Sequence, residues 1–278
     1  MKARLIAGPR EIDFDLSQPI SLAIDLDFSD TQPRHFGAPA ATSRPYSVPG
    51  FSGSVEHGAS CNCQVLTLNP HCNGTHTECV GHLTRERVDA HKVVPFGLTP
   101  ALLLSVEPVA ASASDESTEP TPQPHDLLVS RRSLEDRWRK IAPPGKAAAL
   151  EPRALVIRTL PNAPAKLHQD YSNLTPPYLS RDAAEWLVQR GIEHLVVDLP
   201  SIDRSHDEGR LTAHRIFFGL PRGSTALSQA TRAGSTITEL AYIPDTAADG
   251  QYLLELQVPA LGGDAVPSRP LLYRVLAS

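Results

Sequence analysis

The chain lacks the features that would commit it to a membrane, to nucleic acid or to a disulfide scaffold. No stretch reaches the ~18 consecutive apolar residues that crossing a bilayer requires. The opening MKARLIAGPREIDFDL has an apolar run too short for a secretory signal. There is no dense Lys/Arg run, and 26 basic against 31 acidic side chains give a formal net charge of -5. That leaves no electrostatic footprint for a polyanion or an anionic lipid surface. The expectations are a small-molecule partner, no nucleic acid, no membrane, and a cytoplasmic location. Cysteine is scarce as well: four residues, all between Cys61 and Cys79. A chain of this size needs no disulfide staples. The spacing C-x-C, then Cys72, then Cys79 lacks the paired C-x2-C knuckles of structural zinc ribbons.

What is present is enough for a sizeable core: 278 residues, 41% of them hydrophobic. ALVIRTL, residues 154–160, reads as a buried strand. SRDAAEWLVQRG follows as a helix, with Ser180 able to cap it, Ala183, Ala184, Leu187 and Val188 on one face, and Gly191 ending it. HLVVDLPSID supplies a second strand stopped by Pro200. The unit is strand, helix, strand, with a polar cluster at the carboxyl end of its second strand, where open α/β sheets tend to place ligands. CNCQVLTLN and ALLLSVEPV read as strands upstream, ELAYIPD and QYLLELQVPAL as strands downstream, and SRRSLEDRWRKI as a capped amphipathic helix. The Ser/Pro/acidic stretch at 111–124 has too little apolar surface to bury and reads as an exposed, mobile loop insertion.

The densest chemistry lies in HCNGTHTECVGH, residues 71–82. Gly74-Thr75 favours a loop or extended chain, so the i,i+4 geometry of helical H-E-x-x-H sites does not apply. His76 and Glu78, two residues apart, project to one side of an extended backbone. Cys72 or His71 can reach the same point across the Gly74 turn, giving nitrogen, oxygen and sulfur donors that zinc accepts. His82 is left for proton transfer. Cys61 and Cys63 are expected to share one face of a strand as core or edge thiols.

This stretch resembles the H-x-G-T-H-x-D-x-P-x-H signature of the metal-dependent cyclase/kynurenine formamidase family, which includes arylformamidases and isatin hydrolases. ALVIRTL, LSRDAAEWLVQRGIEHLVVDLPSID, AHRIFFG, TITELAYIP and LGGDAVPSRPLLYRV resemble further family landmarks in the family's order. The resemblance implies a single α/β domain over 1–278, with a mixed central sheet and flanking helices, working as a homo-oligomer. It also implies one or two divalent metals that activate water against an amide or lactam C–N bond. Carried over by position, the metal ligands are Cys72, His76, Glu78, His214 and Glu239, with His82 as the signature's last histidine. Asp203, at a strand end beside Ser201, is expected in a catalytic role.

The signature is altered at the metal itself. Cys72 stands where the family has a histidine, with His71 one residue out of register as reserve ligand, and Glu78 replaces an aspartate. A thiolate added to two carboxylates lowers the net positive charge of the site and favours zinc over manganese. Asp264 and Arg269 read as turn and packing residues, and His206, Asp207 and Glu208 as a solvated loop. The expected function is metal-dependent hydrolysis of an aryl formamide or small cyclic amide. The alternatives are a cyclase or dehydratase, or an inactive binding homologue.

Overall fold

The computed structural model describes residues 1–7, 10–29, 31–141 and 151–276. Its centre is a nine-stranded sheet made of β1 (Ile20–Ser21), β2 (His76–Cys79), β3 (Thr99–Val106), β4 (Ala154–Thr159), β5 (His194–Val197), β6 (Thr236–Glu239), β7 (Gly250–Gln257), β8 (Ala265–Pro267) and β9 (Arg269–Arg274). The spatial order is β8-β2-β6-β5-β4-β3-β7-β9-β1. Strands β3 to β6 run parallel to one another. Antiparallel β2 and β8 extend the sheet at one side, and β7, β9 and β1 at the other.

The parallel strands are nearly continuous apolar runs because both sheet faces are covered. Leu102, Leu104, Leu155, Ile157, Leu195 and Val197 point to one face, Leu103, Val156 and Val196 to the other. Three helices, α1 (Arg131–Ile141), α2 (Arg181–Gln189) and α3 (Thr212–Phe218), close the first face with Leu134, Ala183, Leu187, Phe217 and Phe218. The second face is covered by Leu22, Ile243 and Ala247 from irregular segments. The class is therefore the expected α/β with a mixed sheet, and these three helices flank it on one side. Ser180 caps α2 as its sequence indicates, its Oγ accepting from the Ala183 amide at 2.9 Å.

One expectation gains detail and one changes. The 111–124 stretch has one turn of 3-10 helix, Ala111–Ala113, and otherwise no regular element, but it is fastened at its centre. The Glu116 carboxylate accepts the Arg131 and Arg132 amides (2.7 and 2.9 Å) and the Ser180 hydroxyl (2.5 Å). Glu116 thus caps helix amino ends, which attract negative charge. Cys61 and Cys63 are exposed and precede the strand Gln64–Thr67 that they were expected to join. That strand pairs with Thr42–Pro45 in a ribbon whose residues are mostly exposed, so it has no apolar layer in which to bury a thiol.

Candidate metal centre

The site is assembled by the register of β2. On that strand His76 lies opposite Glu239 of β6, and Glu78 opposite Ala265 of β8. Alternation sends His76 and Glu78 to the same face, while Thr77 between them bonds Thr238 on the other at 2.7 Å. Gly74 makes the entry turn at φ 78°, a left-handed conformation that favours glycine. After β2 the chain tightens into the 3-10 turn Val80–His82. A side chain at Gly81 would meet the Val88 carbonyl at 2.6 Å, so only glycine lets this turn carry His82 back over the cluster.

His76 and Glu78 are essentially inaccessible, at 0% and 1% exposure. His76 Nδ1 lies 3.1 Å from the Gly74 carbonyl, an arrangement that makes Nδ1 the donor and leaves Nε2 bare. Nε2 faces Glu239 Oε2 at 3.6 Å. His214, from α3, places Nε2 at 3.0 Å from Glu78 Oε1 and 3.5 Å from Glu239 Oε1. Its Nδ1 bonds Asp203 Oδ2 at 2.7 Å, and the same carboxylate accepts the Ala213 and His214 amides at 2.8 and 3.1 Å. Asp203 thus fixes both the first turn of α3 and the orientation of its histidine. Glu239 Oε1 accepts the Ile202 amide at 2.8 Å.

His71 Nδ1 is 3.1 Å from Glu78 Oε2, and its Nε2 is 2.8 Å from Asp264 Oδ2. His82 Nδ1 reaches that same oxygen at 3.3 Å, and the two imidazoles lie 4.3 Å apart at 35°. Burial alone would lower the pKa of His71, but the carboxylates of Asp264 and Glu78 outweigh it and push it up to about 10. Burial likewise opposes the charge on Glu78, yet the neighbouring imidazoles of His82 and His214 hold its carboxyl well below the usual range. His214 is raised despite complete burial, by Glu78 and Asp203. Asp264 is depressed by its bonds to His71 and His82.

His76 Nε2, His214 Nε2 and both Glu78 oxygens are buried and have no hydrogen-bond partner in spite of their short separations. They approach one another without the alignment a hydrogen bond requires. Buried donor atoms left unsatisfied in this way are the arrangement a cation would complete. Among the described residues, three triads have ligand atoms mutually within 4.8 Å: His71, His76 and Glu78; Glu78, His82 and His214; and His71, His82 and Asp264. The chemistry of this donor set, imidazole nitrogen and carboxylate oxygen, fits a divalent metal.

The structure therefore brings together His76, Glu78, His82, His214 and Glu239, as the sequence indicates. Cys72, expected at the first ligand position, is buried but belongs to none of these triads. Burial first, and the Glu239 charge second, raise its thiol pKa. His71, the reserve, takes the place beside Glu78. Asp203 meets His214 from behind. Asp264, read from the sequence as a turn residue, is part of the cluster. Its only sequence signal was its place in LGGDAVPSRP, and the pairing of β8 with β2 is what gives that place meaning.

The family model described as "Putative cyclase" matches residues 14–204. No curated protein matches the chain. Among solved structures, a "predicted metal-dependent hydrolase" from Bacillus stearothermophilus superposes with a TM-score of 0.56 at 16% identity, over 92% of this chain and 98% of that one. A potential metal-dependent hydrolase with cyclase activity gives 0.58 at 15% identity, over 92% and 97%. Isatin hydrolase A from Labrenzia aggregata, bound to benzyl benzoate, gives 0.59 at 13% identity, over 93% and 94%. At these identities the likeness is one of fold, and the family match over more than half of the sequence supplies the assignment: the chain belongs to the cyclase family.

Proposed function

We propose that the protein is a metal-dependent hydrolase of a non-peptide C–N bond in a small neutral amide, either an aryl formamide or a cyclic amide. The observation that carries this reading is that buried atoms of His76, Glu78 and His214 stand unpartnered while Glu78 shares one triad of mutually close ligand atoms with His76 and another with His214. The names of the structural neighbours, which include isatin hydrolases, point to the same chemistry. His76, Glu78 and His214 would hold the ion, with Glu239 and His71 beside them. When bound, a divalent metal supplies polarisation of the carbonyl and activation of water. This reading takes imidazole nitrogen and carboxylate oxygen as the donors, since Cys72 joins none of the triads, and so does not rest on a soft thiolate selecting zinc. Zinc remains compatible with this donor set.

The remaining work falls to the protein's own groups. His82 is 27% exposed at its side chain, the most open imidazole of the cluster, and Asp264 holds its Nδ1. Its Nε2 is thereby left to pass a proton to the departing nitrogen. Asp203, engaged by two amides and by His214, is a positioning residue in this reading and does not meet substrate. General acid–base assistance is typically worth about 10²- to 10⁴-fold. His82→Ala should therefore lower kcat on formanilide or isatin by that order while leaving metal content unchanged. Metal loss in this variant would move His82 into the coordination sphere, and undiminished turnover would remove it from the mechanism.

A further inference from the structure

His35 is a buried polar group that the proposed reaction does not use. The residue is 1% exposed, and neither ring nitrogen has a hydrogen-bond partner. Burial drives its pKa down to about 4 against the opposing pull of Glu239. The imidazole is then neutral in ordinary buffers, with one N–H to give and one bare nitrogen to accept. Its amide donates to the Cys72 carbonyl and the preceding Arg34 bridges Asn73, so it lies against the loop that runs into His76 and Glu78.

The segment around it is tightly restrained. The Arg34 amide donates to the Gln169 carbonyl at 3.2 Å, the Tyr171 amide to the Arg34 carbonyl at 2.8 Å, and the Gly37 amide to the Ser172 hydroxyl at 3.1 Å. The Arg34 guanidinium pairs with Asp170 at 2.5 Å. The His35 amide itself donates to the Cys72 carbonyl at 3.2 Å, which ties it to the loop leading into β2. Phe36 takes φ 53°, left-handed for a non-glycine residue, and its ring lies 3.8 Å from the His35 ring. Strained backbone and unpartnered buried polar groups both cost stability, and both concentrate at sites that handle ligands.

We propose that His35 is a substrate-recognition residue whose imidazole hydrogen-bonds an uncharged carbonyl or amide group of the molecule bound at the metal centre. The proposal rests on the hydrolase reading and narrows its substrate class. The amide should carry a further neutral polar group, because His35, buried with no carboxylate bonded to either ring nitrogen, brings no positive charge to a carboxylate.

The test pairs kinetics with stability. Metal-loaded wild type, His35→Phe and His35→Gln are assayed on formanilide and isatin, and the melting temperature of each metal-free protein is recorded. For isatin, whose second carbonyl can accept from His35, loss of one neutral hydrogen bond predicts a KM about ten-fold higher in His35→Phe with a smaller change in kcat, whereas formanilide, with no second polar group, should show little change. His35→Gln, which keeps a donor and an acceptor, should recover part of it. The melting temperature of His35→Phe should hold or rise, since carbon replaces two unpartnered nitrogens. An isatin KM within two-fold of wild type, or a lowered melting temperature with unchanged isatin KM, would overturn the proposal and make His35 a packing group. Metal content of the same preparations separates the two readings. A wild type without metal removes the hydrolase, whereas metal-loaded protein with unchanged isatin KM removes only the role of His35.

Discussion

At the scale of single residues, the site is governed by how many carboxylates each imidazole meets. His71 meets two, Glu78 and Asp264, and the resulting rise of its pKa to about 10 has a direct consequence for stability. Unfolded, histidine titrates near ~6.5. A group whose folded pKa is raised binds its proton more tightly in the native state, so its contribution is complete below pH ~6.5 and disappears as pH rises through about 10. In protein stripped by chelator, wild type should melt above His71→Gln at pH 6.5, and the gap should close towards pH 10. A gap that stays constant over that range would show that His71 does not carry the charge assigned to it. This level was partly legible in the sequence. The shared face of His76 and Glu78 follows from two-residue periodicity alone. The choice of His71 over Cys72 does not, because it depends on how the Gly74 turn directs two adjacent side chains, and Asp264 becomes visible only when β8 is laid against β2.

At the scale of elements, the strands and helices are those the patterning dictates. Leu102 to Leu104 or Val196 and Val197 can be nothing but doubly covered strand, and Ser180 and Gly191 bracket α2 by ordinary capping chemistry. The 111–124 stretch is where composition says least. A polar, proline-rich sequence gives no sign of its own of what it is anchored to, yet Glu116 joins the amino ends of α1 and α2 through three hydrogen bonds. Removing a helix-capping acceptor costs about 0.5–2 kcal/mol, and for a chain of this size each kcal/mol moves the melting temperature by roughly 2–4 °C. Glu116→Ala should therefore melt lower by about 1–8 °C while its metal content stays at the wild-type level. An unchanged melting temperature would mean that water replaces the carboxylate without cost and that the loop is not fastened there.

At the scale of the whole molecule, one nine-stranded sheet brings together residues that lie far apart in sequence. His76 and Glu78 enter from β2, His214 from α3, Glu239 from the end of β6, and Asp264 from the residue before β8. The family match over residues 14–204 ends before His214 and Glu239, so their convergence with the signature histidines is a property of the fold. The central claim is that this convergence holds a divalent metal, and metal content tests it most directly. Wild type, His76→Ala, His214→Ala and Cys72→Ser are purified without chelator, reconstituted with zinc or manganese, passed through a desalting column and analysed for metal per chain. Wild type and Cys72→Ser should retain stoichiometric metal, and the two histidine variants should lose it. A wild type that stays empty after reconstitution, or histidine variants that retain as much metal as wild type, would contradict the claim.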